Sequence, residues 1–549
     1  MRLISNPQYI RDNYGFDPFA NLLIPNIRMD SPLMATPVVA ATDAGEYVLS
    51  RQQELGSLLS QGVPMDRIRL FEGYVTLDPA LKSTRSAKSF AAAVEELARP
   101  GEAVAVDGGF PYSRYLALKD AGLDVRIEEH GTTAAVVAYR LDTGAVLRDF
   151  RAIRARGIGA ARALVESLPQ LDGIQDEFTD AVDSRYSLLE KIAAENGVAA
   201  VLSSARPNFS ELTGFAAREG LHALWVGGTG ELYVIGPATD YSIPGVPTGT
   251  YSSLSAAIRS LAGDGATGIE EHRLGAATAD ALHGAGVELA PLSLELGKWR
   301  DLRDHEDLPF QLIAARASTY CISGALKHAE ETIAERGYIT ENEAHAKYRE
   351  LIHAFRAEHG IPFALEPFFV NLHAADRSLY PGPPTDFRIT AGSGSVKLDA
   401  GLKVTHNGVV LATSDMARSL VTTDEAREGY EFFLKVVRED IIGALHAGKD
   451  CEVVHREAVE AVLAHRQRLI ELNLLAEETD FAAEYGKRNV GHLMGKQESF
   501  GLEFKPGHPF ALPARSLGAA EIQWSFGNYS IGAEDMWYIG ADRVYNTTI

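Results

Sequence analysis

Cysteine is nearly absent from this sequence: Cys321 and Cys451 are its whole supply, in unrelated contexts. Two such residues build neither a disulfide framework nor a cysteine-type zinc site, and they suit a reducing compartment. Long apolar runs are lacking too, and none reaches the roughly 18 residues that a membrane span needs. The opening MRLISNPQYIRDNYGFD has no apolar signal-peptide core, so the cytoplasm is the expected location. Basic charge is also scarce. There are 52 Lys and Arg against 74 Asp and Glu, for a net charge of −22. An acidic chain repels phosphate backbones, so nucleic acid is not expected as a direct partner.

What is present is a long chain of ordinary soluble composition, with 549 residues of which 46% are hydrophobic and 23% charged. That length exceeds one core and predicts several domains. An internal repeat organises the first part. NPQYIRDNYGF (6–16) parallels RPNFSELTGF (206–215), and TPVVAATDAGEYVLS (36–50) parallels LHALWVGGTGELYVIG (221–236). The second pair reads as β-hairpins, each an apolar strand, a Gly-containing turn and an alternating strand. GEAVAVDGGFPYSRYLALKDAGLDVRIEE and ATGIEEHRLGAATADALHGAGVELAPL each read as strand, Gly-rich loop, helix and strand, which is a βαβ unit. LRDFRAIRARGIGAARALVESL and LRDHEDLPFQLIAARASTYCISGAL are matching helix starts. Four matched elements in one order predict two copies of an α/β unit. The expected domains are 1–170, 180–305 and 306–549, with breaks near 168–180 and after Arg303.

The last domain opens with two amphipathic helices. The first stops at Gly337. The second has Thr340 as N-cap, Glu343 as its capping-box partner and Gly360 past its end. Strands at 396–404 and 409–412 follow, joined by a turn at His406-Asn407-Gly408. Helices over 423–447 and 452–475 precede a strand-rich end. This order of helices and strands, given twice, predicts a pseudo-duplicated α+β domain with an antiparallel sheet.

Hard divalent metals with hydrolytic roles require carboxylate oxygens and imidazole. Asp399 in KLDAG, Asp415 in TSDMARS, His492 in VGHLMG and Glu534 in IGAEDMW offer them, and Gln523 in EIQWS offers an amide. A hairpin can return Asp415 beside Asp399. An Asp within an apolar strand is costly unless it is paired or bound to metal. His492 lies between glycines in GHLMG, where close backbone approach is possible. Singly, each Asp reads as a turn or cap residue, His492 as a core histidine and Glu534-Asp535 as a turn. Glu503 reads as a solvent-facing strand residue, and His373 and His508 as structural or surface histidines.

Taken together, the order Asp, Asp, Gly-His, Gln, Glu-Asp resembles the pita-bread metallopeptidase family of aminopeptidase P, prolidase, methionine aminopeptidase and creatinase. KLDAGLKV…SDMARS is similar to its "D-x-G…S-D-x-T-R-T" hairpin, VGHLMG to its "G-H-G-x-G" and IGAEDMWYI to its "R-I-E-D". RPNFSELTGF and LRDHEDLPFQLIAARA are similar to segments of its creatinase-type N-terminal domain. The resemblance covers nearly the whole chain. It implies two creatinase-N-type domains, a pita-bread catalytic domain and a homodimer. It also implies metal ligands at Asp399, Asp415, His492, Gln523 and Glu534 for one or two Mn, Fe, Co or Zn ions.

This sequence departs from the family pattern at four places. The hairpin between Asp399 and Asp415 is longer than the family's. Gln523 stands where the family has a ligand glutamate, with Glu521 two residues earlier on the same strand face. Tyr380 and Pro381 stand where a histidine precedes "P-T-D", leaving His373 as the nearest upstream imidazole. The histidine of "H-E-x-P" is missing, and the same stretch offers Glu503 and His508. Glu534, Glu521 and His373 are therefore the candidates for proton transfer. The implied activity is metal-dependent hydrolysis of a C–N bond in a small amide or short peptide. A metal-poor or metal-free creatinase-like enzyme and a non-catalytic binding module are the alternatives.

Overall fold

The computed structural model describes residues 1–20, 36–51, 54–71, 86–128, 134–178, 184–238, 243–302, 304–374, 377, 382–486, 488–496 and 498–549. Arg303, Tyr380, Pro381 and the end of the 168–180 break lie outside them.

The first sheet contains β1 (Arg2–Ile4), β2 (Val38–Thr42), β3 (Gly45–Arg51), β4 (Ile68–Phe71), β5 (Ser86–Ala87), β6 (Val104–Val106) and β7 (Val125–Ile127). Their order is β5-β4-β3-β2-β1-β6-β7. The second contains β8 (Val136–Leu141), β9 (Ala200–Ser203), β10 (His222–Val226), β11 (Glu231–Pro237), β12 (Val246–Tyr251), β13 (Thr267–Ile269) and β14 (Leu289–Pro291), in the order β12-β8-β11-β10-β9-β13-β14.

The repeat read from the sequence is visible in this topology. The hairpin β2–β3 corresponds to β10–β11, and the parallel run β1-β6-β7 to β9-β13-β14, with strand directions preserved. The flanks differ. β4 and β5 extend the first sheet in parallel. β8 and β12 extend the second antiparallel, so the second sheet draws a strand from 136–141, upstream of the expected break.

Each copy fixes its first helix with a buried acid placed just after the parallel strand. Asp107, after β6, accepts from the Ser5 and Asn6 amides and the Ser5 hydroxyl, at the start of the helix Pro7–Tyr14. Glu270, after β13, accepts from the Ser204 and Ala205 amides, both at 2.7 Å, from Ser203 Oγ at 2.9 Å and from Asn208 Nδ2 at 2.6 Å. These donors surround the start of the helix Arg206–Thr213, where amide groups lack helical partners. Burial raises the Glu270 carboxyl above its ordinary pKa, against the pull of those four donors. The two copies also face each other through equivalent loops. Tyr112 N donates to Leu274 O at 2.9 Å, and Ala276 N donates to Phe110 O at 2.8 Å.

The C-terminal domain begins with the helices Asp304–Arg336 and Glu341–Glu358; the second carries the Thr340–Glu343 capping box. A short ribbon pairs β15 (Ile339–Thr340) with β17 (Arg388–Ile389). β16 (Ala364–Ala374), β18 (Ser395–His406), β19 (Val409–Thr413) and β20 (Met416–Val421) form one sheet. The turn expected at 406–408 is present, with Asn407 at φ 51° and Gly408 at φ 77°. The second half repeats the plan. The helix Asp424–Lys435 runs on through a π-helical turn at Val436–Ile441, and the helix Cys451–Ala464 follows it. Then come β21 (Gly491–Met494), β22 (Glu498–Glu503), β23 (Leu517–Phe526), β24 (Tyr529–Ile539) and β25 (Val544–Asn546), in the order β22-β21-β23-β24-β25. One apolar core lies under the first half and takes in Met494, Leu517, Met536, Tyr538 and Tyr545 of the second, and another lies within the second half. Two α/β domains ahead of a pseudo-duplicated α+β domain is the fold class expected from the sequence. Among the described residues, no helix is long and apolar enough to cross a membrane.

Replacing Glu270 by Ala strands two helix-start amides and Asn208 in a buried setting. The expected cost is about 2–4 kcal/mol, read as a lower thermal midpoint of the variant against the parent chain.

Candidate metal centre

The two sheets of the C-terminal domain meet along β20 and β24, where directional polar contacts accompany apolar packing. The Ser419 hydroxyl donates to Gly532 O at 3.1 Å and accepts from Gly532 N at 2.8 Å. Ser395 Oγ donates to Ser530 O at 2.9 Å and accepts from Ser530 N at 2.7 Å. Arg418 reaches across from β20. It donates to the backbone carbonyl of Glu534 and forms a short ion pair with Asp535. Asp535, fully buried, also accepts from Arg438 Nε at 2.7 Å, Thr548 Oγ1 at 2.8 Å and Asn546 Nδ2 at 3.0 Å. The two guanidinium groups hold its carboxyl below the ordinary aspartate pKa, against the effect of burial. Adjacent residues of a strand point to opposite faces, so anchoring Asp535 outward turns Glu534 inward.

Asp415 reaches the same space by a break in the strand path. β18 pairs with β19 at its far end and with β20 nearer its start. Between the two pairings Ser414 bulges, exchanging bonds with the backbone of Leu402. The sequence reading put Asp399 at a strand end. It lies within β18, opposite Ala417, and Asp415 sits at the β19–β20 break. Gly401 is required for this approach, because a Cβ there would lie 1.9 Å from the Ser414 carbonyl oxygen. His492, on β21, donates from Nδ1 to the Leu493 carbonyl at 3.0 Å. That bond leaves Nε2 facing Asp415, 3.6 Å from Oδ2.

The five sequence-derived ligand candidates divide into two groups. Asp415, His492 and Glu534 offer ligand atoms within 4.8 Å of one another, and all three are buried. Asp399 and Gln523 meet a different partner, the buried Lys397. Its Nζ lies 3.6 Å from Asp399 Oδ2 and donates to Gln523 Oε1 at 3.1 Å. Gln523 Nε2 in turn donates to Glu534 Oε2 at 3.4 Å. Burial raises the Asp399 carboxyl pKa, with Lys397 opposing and Glu521 reinforcing the shift.

The proton-transfer candidates are spread more widely. Glu521 stands directly opposite Glu534 across the β23–β24 ladder, on the same face, and is half-buried. His373 is buried on β16 opposite Lys397. Its Nε2 accepts from Gly382 N at 3.4 Å and its Nδ1 has no hydrogen-bond partner among the described residues. Burial, with Lys397 and Arg377 nearby, holds it far below the ordinary histidine pKa, as the neutral imidazole. Glu503 is buried rather than solvent-facing, because Lys505 Nζ at 2.5 Å compensates it; His508 lies 3.9 Å away.

Lys397 and the Arg418–Asp535 clamp were missed in the sequence. The signal for the lysine was there: in SVKLDAG it lies two residues before Asp399, so both share one strand face. A lysine at that position in an apolar strand needs an anionic partner.

No family model matches the sequence, and no curated protein is significantly similar to it. Solved structures do match. The prolidase of Pyrococcus horikoshii OT3 superposes with a TM-score of 0.51 at 17% identity, over 67% of this chain and 98% of its own. The prolidase of Pyrococcus furiosus reaches 0.49 at 16% identity, over 66% and 99%. The X-Pro aminopeptidase of Thermotoga maritima MSB8 reaches 0.47 at 16% identity, over 65% and 97%. At this identity the likeness establishes the fold. The protein has the pita-bread fold, preceded by creatinase-N-type α/β structure.

The donor set of Asp415, His492 and Glu534 fits one divalent ion: two carboxylates and an oriented imidazole nitrogen, buried and mutually close. Asp399 and Gln523 contact the Lys397 ammonium, and Gln523 also donates to Glu534.

Replacing Arg418 by Met would leave buried Asp535 with a single guanidinium. The expected loss is about 2–3 kcal/mol, measured by denaturant unfolding at neutral pH.

Proposed function

We propose that the protein is a metal-dependent hydrolase acting on a C–N bond of a small amide or short peptide. The observation that carries this reading is the convergence of Asp415, His492 and Glu534 on one buried point of a pita-bread fold. A divalent ion held there supplies Lewis-acid activation of water and polarisation of a carbonyl near neutral pH.

The chain's own groups supply the remainder. The Nδ1–H bond of His492 fixes its tautomer, so Nε2 is the donor toward the ion. Arg418 and Arg438 hold Asp535, and through the strand they hold Glu534 in place. One carboxylate, Glu534 or the half-buried Glu521 opposite it, is the proposed shuttle: it accepts a proton from the attacking water and returns that same proton to the leaving amine. His373, neutral and buried beside Lys397, orients the substrate rather than carrying charge. A small-molecule or short-peptide substrate and a homodimeric assembly complete the proposal.

A creatinase-like reaction without metal is the second reading. The placement of Lys397 between Asp399 and Gln523 favours it, since a fixed ammonium already provides positive charge.

Hydrolysis of amide and dipeptide panels, with and without added Mn²⁺, Co²⁺ or Zn²⁺, separates the two. The metal reading expects activity that chelator abolishes and that His492→Ala and Glu534→Gln each lower by about 100-fold or more. Activity indifferent to both chelator and His492→Ala would transfer the case to the metal-free reading.

A further inference from the structure

Lys397 links the two halves of the site. Its side chain leaves β18, crosses the seam and ends at Gln523 on β23. Its seat is prepared by Gly532, the residue opposite Gln523. A Cβ at that position would lie 2.7 Å from Lys397 Cδ and 2.9 Å from Gln523 Oε1.

The amide at 523 matches this lysine. Its oxygen accepts from the ammonium, while its nitrogen donates to Glu534 Oε2. A glutamate would have only acceptors for both contacts and would set a second negative charge against Glu534, which calls for a larger positive charge between them. Lys397 with Gln523 is thus the self-consistent pairing when a monovalent, covalently tethered cation occupies that place. A divalent ion on Asp399 and residue 523 would stand within a few ångströms of the ammonium and repel it. Charge agrees: the buried carboxylates of Asp399, Asp415 and Glu534, the Lys397 ammonium and one divalent ion together are neutral, whereas a second ion leaves two uncompensated positive charges. Glu521, half-buried beside Asp399, offsets only part of that excess.

We infer that Lys397 occupies, as a built-in cation, the second cation position of this centre, so that the site takes one divalent ion, on Asp415, His492 and Glu534. The inference rests on the metal-dependent reading above and deepens it.

The test is metal stoichiometry on the full chain, freed of metal, reloaded with Mn²⁺, and measured by elemental mass spectrometry and Mn²⁺ electron paramagnetic resonance. The wild type is expected to bind one equivalent per chain with an isolated-ion spectrum, and His492→Ala is expected to lose it. The double variant Lys397→Met with Gln523→Glu is expected to rise from one equivalent to two and to show spin coupling. Lys397→Arg, which keeps the cation, is expected to remain at one. Two equivalents in the wild type would overturn the inference, and that measurement needs no variant to fold. A folded double variant with no gain would overturn it equally. If the wild type binds none, the metal reading of Asp415, His492 and Glu534 has failed. The Lys397 inference then stands only if the double variant gains metal over the wild type.

Discussion

The C-terminal domain depends on the polar seam between its two sheets. Two antiparallel sheets pack under helices, and Met494, Leu517, Met536 and Tyr538 of the second half join the apolar core of the first, but apolar contacts are non-directional and tolerate sliding. The Arg418–Asp535 pair and the reciprocal bonds of Ser419 with Gly532 supply the register. Buried polar contacts serve this purpose because each is costly when unmade, so a shifted alignment would strand several charges at once. With the register set, Glu534 faces inward from β24, and the break after β19 delivers Asp415 to the same point. The site is a consequence of the seam rather than an addition to it.

The two N-terminal units solve a related problem twice. In each, a parallel strand ends in an acid, Asp107 or Glu270, which receives the amides at the start of a short helix. The device ties helix to sheet in both copies and survives differences at the flanks, where one sheet continues in parallel and the other antiparallel. A shared internal core with divergent edges is what duplication followed by separate adaptation of exposed strands would leave. The helix Thr143–Val165 then joins the core of the C-terminal domain through Ala161, Leu164 and Val165, alongside Leu308 and Phe310.

Positive charge at the candidate metal centre comes from the chain itself as well as from any ion it binds. Lys397 is buried, and two anionic or carbonyl oxygens take up its charge. Such a group cannot be exchanged, chelated or lost, and it has a fixed position relative to Asp399 and His373. The centre is less anionic than five acid and imidazole ligands would make it.

Several features of this protein are determined by sequence alone. The repeat is legible because hairpin and βαβ patterns are local, fixed by strand alternation and by turn glycines such as Gly45 and Gly230. The Thr340–Glu343 cap is legible because its partners are three residues apart. The acidic balance, the scarcity of cysteine and the types of residue able to bind metal are equally plain. The origin of β8, the burial of Glu503 and the division of Asp399 and Gln523 from Asp415, His492 and Glu534 were decided by tertiary structure. These follow from how the sheets stack and where a strand breaks, which no local pattern specifies. Lys397 shows the limit best. Its sequence context marks it as a charge in need of a partner, but only the approach of β23 across the seam makes that partner Gln523, since pairing over such separations is set by packing and not by pattern.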